Sequence, residues 1–375
     1  MKILANFSRV IVGMYLIFSG FLKVVDPYGT ALKLKEYFEV FATDLPALGG
    51  FFEALSASSV TLSVIFCCLE LVIGVALLFG FRLRLTAWAA LLLMTFFTFL
   101  TFYSAYFNRV TDCGCFGEFL KLKPWASFWK NVATMVLIVI LFIYRKKFSN
   151  SGAGTPAVLL AVIISAGIGI YSLSYLPVID MLPYAVGKSI PEQMKRPDVA
   201  PQIRYEFLDK STGESIPSEE YLMDTLRYTY KTSTVLNEEA IKPLITDFSV
   251  VDTSGAEALA DVLEGKVLVL ILKSTADIEN LEFKKYREVA AKAGKMQIKP
   301  VILTPETGIE TYLKAKKLNY AYYFADEKVL KTMARNNPVI YLMQDGLILG
   351  KWSFNRLPSD EKIKKLINNS TTVYR

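Results

Sequence analysis

Residues 60–81 read VTLSVIFCCLELVIGVALLFGF. An apolar run of this length crosses a bilayer, which takes roughly 17 to 25 residues. It carries a single charge, Glu70. A charged side chain at that depth is costly and ordinarily faces a bundle interior or a polar cavity. Four more stretches have the same apolar character, approximately 7–25, 87–107, 126–144 and 156–176. The first lacks a small-x-small cleavage site and is followed by the others, so it reads as an uncleaved helix. Apolar residues concentrate before residue 180 of the 375-residue chain, and the rest is an ordinary charged and apolar mixture. The expectation is a membrane all-α four-helix bundle over 1–148 and a fifth, tethering transmembrane helix within 149–179. A connector and small β-rich accessory region over 180–243 and an α/β domain over 244–375 complete it.

Loop charges give the orientation. Lys2 and Arg9 flank the start, Arg82 and Arg84 crowd the second connection, and Arg145, Lys146 and Lys147 the fourth, with no acid close by. Such loops face the cytoplasm. The first and third connections mix bases with acids, among them Asp26, Glu36, Asp44, Asp112 and Glu118. They are expected outside, with everything after Leu176. The reading is a multi-pass membrane protein whose C-terminal domain lies in a periplasm-like, extracytoplasmic space, with the lipid bilayer as its first partner.

The third connection contains DCGCFG, residues 112–117, which holds two of the four cysteines. In an oxidising compartment disulfides persist, and glycine suits the small ring that a bond across Cys113-Gly114-Cys115 would close. Exposed or strained disulfides tend to be the labile, catalytic ones. The competing reading makes Gly114 and Gly117 loop formers and the cysteines apolar filler. No metal site is expected, because tetrahedral sites need four Cys, His or carboxylate ligands and the chain has no histidine. The other pair, Cys67 and Cys68, either packs as small hydrophobic groups or relays electrons from the loop. A relay requires Cα atoms within about 7 Å, although Cys67 lies roughly 10 Å below the outer helix end on a straight helix. Glu70 shares a helix face with Cys67 and with Gly74, where a second helix can approach closely. It serves either a proton or ligand path or an interhelical hydrogen bond.

Between the first two spans, DPYGTALKLKEYFEVF puts Leu34, Tyr37, Phe38 and Phe41 on one face. An amphipathic helix on the outer surface of the bundle follows. Together with FSGFLKVVDPYGTALKLKEYF at 18–38 and LELVIGVALLFG at 69–80, the DCGCFG element resembles the DoxX/MauE group of redox-associated bacterial membrane proteins over roughly residues 5–145. Glu70, Gly74, Asp112, Cys113, Gly114, Cys115, Phe116 and Gly117 fall on motif positions. The resemblance implies a four-helix bundle connected with thiol or sulfur redox chemistry in the cell envelope, with Cys113 and Cys115 as the catalytic pair.

Four prolines between 177 and 197 make an extended connector, IRYEFLDKSTGESI reads as a hairpin, and YTYKTSTVL adds a strand. From Ile245 the order is strand, strand, helix, strand, helix, strand, helix, then PVIYLMQDGLILGKW as two strands about a turn and a closing helix. This order resembles the thioredoxin-like fold, with Asn337-Pro338 at its cis-proline loop. Where that family carries C-x-x-C, this chain has KSTADIEN, residues 273–280. The domain has no cysteine of its own, and Ser274 and Thr275 are expected to cap a helix start.

Two functions are therefore weighed. One is a thiol-disulfide oxidoreductase component whose CGC loop exchanges electrons with a membrane carrier such as a quinone while the soluble domain docks an envelope protein partner. The other is a noncatalytic assembly factor or scaffold. The net charge of +7 is partly explained by cytoplasmic loop charges, and no interleaved basic and aromatic run points to nucleic acid.

Overall fold

The computed structural model describes residues 2–110, 122–148 and 151–373. Among the described residues, five helices are long and apolar enough to span a membrane. They are α1 (Lys2–Val25), α4 (Ser59–Phe79), α5 (Leu83–Phe107), α6 (Pro124–Tyr144) and α7 (Gly154–Ser174). Between the first two lie α2 (Pro27–Asp44) and α3 (Gly49–Ala57). The amphipathic reading of α2 holds: Leu34, Tyr37, Phe38 and Phe41 are buried against the bundle.

Helix α1 packs along α4, α5 along α6, and α7 against α4. The α1–α4 seam is tight because it is made of small residues. A Cβ on Gly20 would lie 2.6 Å from the backbone nitrogen of Leu71, and one on Gly74 would lie 2.8 Å from the carbonyl oxygen of Gly13. Gly74 therefore has the close-approach role expected of it. Gly74→Val should push α1 off α4 at a cost of about 1–3 kcal/mol or more. Thermal unfolding in detergent micelles measures it, and a midpoint equal to wild type would refute the seam.

At one end of the bundle sit the basic residues: Arg9 over the Phe148 ring, and Arg145 over Phe142 and Trp88. At the other end Tyr103 donates a hydrogen bond to Asp44, which also faces Arg109. The C-terminal region follows α7 at this second end.

That region is α/β. A short helix α8 (Ile190–Met194) precedes strands β1 (Ile203–Asp209), β2 (Ser215–Ser218) and β3 (Tyr228–Val235), which form an antiparallel sheet ordered β2-β1-β3. A six-stranded sheet follows, made of β4 (Val250–Val251), β5 (Lys266–Ile271), β6 (Lys299–Thr304), β7 (Ala321–Ala325), β8 (Val339–Gln344) and β9 (Leu347–Ser353). Its order is β9-β8-β5-β6-β7-β4, with β5, β6 and β7 parallel and the other joints antiparallel. The run KVLVLI is apolar throughout because β5 is covered on both faces. Val267, Val269 and Ile271 pack with Ile190 and Leu330, while Leu268 and Leu270 pack beneath Phe283 and Tyr286. Helix α9 (Lys284–Lys295) lies on the second face with α10 (Asp360–Val373).

The proline-rich segment before β1 packs on the α/β region, since Leu182, Tyr184 and Ile190 are buried and Ile190 N–H donates to the Gly346 carbonyl. The helix read at NLEFKKYREVAAKA runs from Lys284 to Lys295, and the 3-10 turn at Ala276–Ile278 before it is capped by Ser274 Oγ, which accepts from Asp277 N–H at 3.4 Å. Thr275 instead gives its N–H and hydroxyl to the Glu306 carboxylate, at 3.0 and 2.6 Å.

Candidate functional site

The close α1–α4 contact brings Lys23 to Glu70. Lys23 Nζ lies 2.6 Å from Glu70 Oε2, with the two side chains 7% and 2% exposed. The ammonium also sits 4.4 Å from the centroid of the Phe97 ring. A buried carboxylate in the bundle is thus matched by an opposite charge from the next helix, as charges removed from water require.

The pair lines a cavity of about 50 Å3 inside the bundle. Tyr15, Thr101, Lys130 and Asn131 add polar groups from three helices, and Thr30, Lys33, Leu34 and Tyr37 of α2 close it on one side. Asn131 Nδ2 donates to Thr101 Oγ1 at 3.2 Å and to the Phe97 carbonyl at 3.3 Å. The space suffices for one or a few water molecules. Its chemistry is that of a proton-handling or polar-group site: donors from lysine and asparagine, one carboxylate, and apolar walls from Met94, Phe97 and Leu100. Cys67 is fully buried, three residues before Glu70, and Cys68 is half-buried; both are free thiols. The amphipathic helix expected to lie on the surface therefore also forms one wall of the site.

Asp112, Cys113, Gly114, Cys115, Phe116 and Gly117 lie outside the described residues. Their anchors are described. Val110 is buried and its carbonyl accepts a hydrogen bond from Ser104 of α5, and the chain resumes just before Pro124 of α6. Both anchors are at the bundle end that carries the α/β region.

Residues 1–144 match the family model described as methylamine utilisation protein MauE. The match covers α1 to α6 and leaves α7 and the α/β region outside it. No curated protein matches the chain. The MauE-matching part is a multi-pass, apolar-helix structure, in agreement with the resemblance read from its motifs.

The α/β region rests on the MauE-matching part through a polar contact. Arg335, with a side chain only 1% exposed, places its guanidinium 2.9 Å from Asp26 Oδ2. Lys273 sits 4.0 Å above the Tyr28 ring. Asn336 Nδ2 reaches the carbonyls of Leu173, Ser174 and Tyr175 at 3.1, 2.9 and 3.1 Å. It thereby satisfies the open C-terminus of α7. Asn337 ties the loops together, accepting from Lys273 N–H at 3.0 Å and donating to Ser274 O at 2.7 Å. The Asn337-Pro338 peptide is cis. The stretch at 273–280 and the loop at 335–338 thus both turn toward α2.

Burial, reinforced by Arg335 and Lys331, holds the Lys273 pKa down to about 7, while Asp277 and Asp26 act the other way. An ordinary lysine titrates near 10.4. Between those values the unfolded chain binds the extra proton, so stability rises with pH. Stability should therefore climb by about 1–3 kcal/mol between pH 7 and about 9.5. Above about pH 10 the trend reverses, because burial raises the Tyr28 pKa in the folded state. Thermal midpoints across this range check it, and Lys273→Met should flatten the rise. An unchanged slope in that variant would remove Lys273 as its source.

Sequence reasoning missed Lys23, Lys130, Asn131 and Arg335. A signal existed for Lys23, a lysine three residues after Gly20 inside an apolar run, because an intramembrane base and an intramembrane acid each need a partner. For Arg335 nothing local gave it away.

Proposed function

We propose that the protein is a membrane thiol-redox component of the cell envelope. Cys113 and Cys115 cycle between two thiols and a disulfide, and the soluble region is a thioredoxin-like docking module without C-x-x-C. The single observation that carries this reading is the buried Lys23–Glu70 pair, in a polar cavity walled by α2 and lined by α5 and α6. The same two helices bracket the CGC segment. Oxidising two thiols releases two electrons and two protons. A membrane carrier such as a quinone takes the electrons, and the cavity provides groups that exchange protons. Loop charge supports an orientation with this end and the α/β region outside the cytoplasm, where the disulfide persists. The name of the matching family, methylamine utilisation, fits a redox-associated membrane protein.

The scaffold reading is favoured by one specific contact. The loops that a thioredoxin-like fold would turn toward a redox partner are taken up by Asp26 and Tyr28 of the same chain.

Trapping thiols in intact membranes with an alkylating mass tag, with and without reductant, distinguishes the two. The expected result is a reducible Cys113–Cys115 population that disappears in Cys113→Ser, while Cys67→Ala with Cys68→Ala leaves it intact. Permanently free loop thiols would favour the scaffold. A recovered crosslink from Cys67 to the loop would instead support the relay. Protease added to intact spheroplasts should remove the region after Leu176, and its protection there would overturn the orientation.

A further inference from the structure

A cleft of about 630 Å3 opens where the end of α7 meets the α/β region. From the tetherward side it is lined by Gly167, Tyr171 and Tyr175, and from the soluble side by Ser353, Arg356 and Lys362. Tyrosines at a helix end mark the level of the lipid headgroups. The cleft therefore straddles the boundary between hydrocarbon and water.

Its charges are unequal. Asp180 is consumed by Lys351, 2.7 Å away, which makes that pair neutral. Arg356 and Lys362 are exposed, and among the described residues neither forms an ion pair with a carboxylate. Ser353 of β9 lines the same cleft. It is 2% exposed, and among the described residues its hydroxyl has no hydrogen-bond partner. A buried hydroxyl without a partner is costly, and two cations with a hydroxyl donor are the groups a phosphodiester takes. On the bilayer side the cleft is lined by Gly167 and Ile168 of α7, next to exposed apolar surface of the same helix. A Cβ on Gly167 would meet nothing within 4 Å, and Ile163 and Ile170 stand 68% and 61% exposed. This apolar surface suits acyl chains.

We propose that this cleft binds an anionic phospholipid. The phosphate is held by Arg356, Lys362 and Ser353, and the chains lie along α7. The proposal rests on the membrane-spanning character of the chain and not on its redox reading. A zwitterionic headgroup would bring a quaternary ammonium toward the same two cations, which selects for the acidic lipid.

The test uses the full-length protein, purified in detergent and analysed by native mass spectrometry after equal additions of phosphatidylglycerol or phosphatidylcholine. Phosphatidylglycerol should be retained about tenfold or more over phosphatidylcholine and should raise the thermal midpoint. R356Q/K362Q should lower retention by roughly tenfold to thirtyfold. K284Q/K285Q, the same charge loss at exposed positions on α9, should leave it unchanged. If R356Q/K362Q does not fold, Ser353→Ala alone is measured and should still weaken retention severalfold. Equal retention of the two lipids, or full retention in the folded R356Q/K362Q or Ser353→Ala protein, would overturn the proposal. Stabilisation by inorganic phosphate with none by phosphatidylglycerol would also overturn it, since it would make the cleft a site for free anions.

Discussion

Lys23→Met should destabilise the bundle by about 3–5 kcal/mol, because it leaves the Glu70 carboxylate buried without its counter-charge. The two groups touch at 2.6 Å and are almost wholly removed from solvent. The size of the effect belongs to the stranded charge and not to the pair. The double variant K23M/E70L should therefore recover most of the loss, since well-packed apolar replacements of buried pairs are often neutral or better. Reversible unfolding in mixed micelles gives both numbers. A single variant within about 1 kcal/mol of wild type would show that Glu70 is not held as a buried charge. If the double variant is stable but no longer supports a reducible CGC pair, the ion pair acts in the chemistry and not merely in the packing.

Asp26→Asn should undock the α/β region. The guanidinium of Arg335 is buried against Asp26 and also donates to the Lys331 carbonyl at 3.0 Å. Removing the carboxylate charge strands a buried cation at about 3–5 kcal/mol, far more than a surface pair is worth. Asparagine is chosen because Asp26 also caps α2, accepting from Gly29 N–H at 3.1 Å. An asparagine retains that cap, worth about 1 kcal/mol, so the loss reports the interface. The readout is limited proteolysis at the segment after α7, expected to accelerate strongly in Asp26→Asn and to return toward wild type when Arg335→Met is added. Equal cleavage rates in wild type and Asp26→Asn would mean that the contact does not hold the two parts together.

If these hold, the α/β region is a fixed part of one end of the bundle. Its stretch at 273–280 packs on Tyr28 through Lys273, beside the Asp26–Arg335 contact.

The sequence by itself determined the elements. Five apolar runs became five spanning helices, because burying the backbone polar groups of a bilayer segment leaves helix as the local solution. The three- to four-residue spacing of Leu34, Tyr37, Phe38 and Phe41 settled α2, and the order of strands and helices after Ile245 settled the α/β region, since hydrophobic period is a local property. The DG turn at Asp345-Gly346 came with left-handed backbone at both residues, with φ of 50° and 74°. What faces what was decided only in three dimensions. Glu70 was legible as a costly charge, yet its partner is 47 positions away, and the Asp26–Arg335 contact spans 309. No periodicity carries such information, because it depends on how closely Gly20 and Gly74 let two helices approach and on where α7 delivers the chain. The motif at 112–117 reads from sequence as a candidate redox pair and lies outside the described residues; the structure contributes the cavity that its flanking helices line.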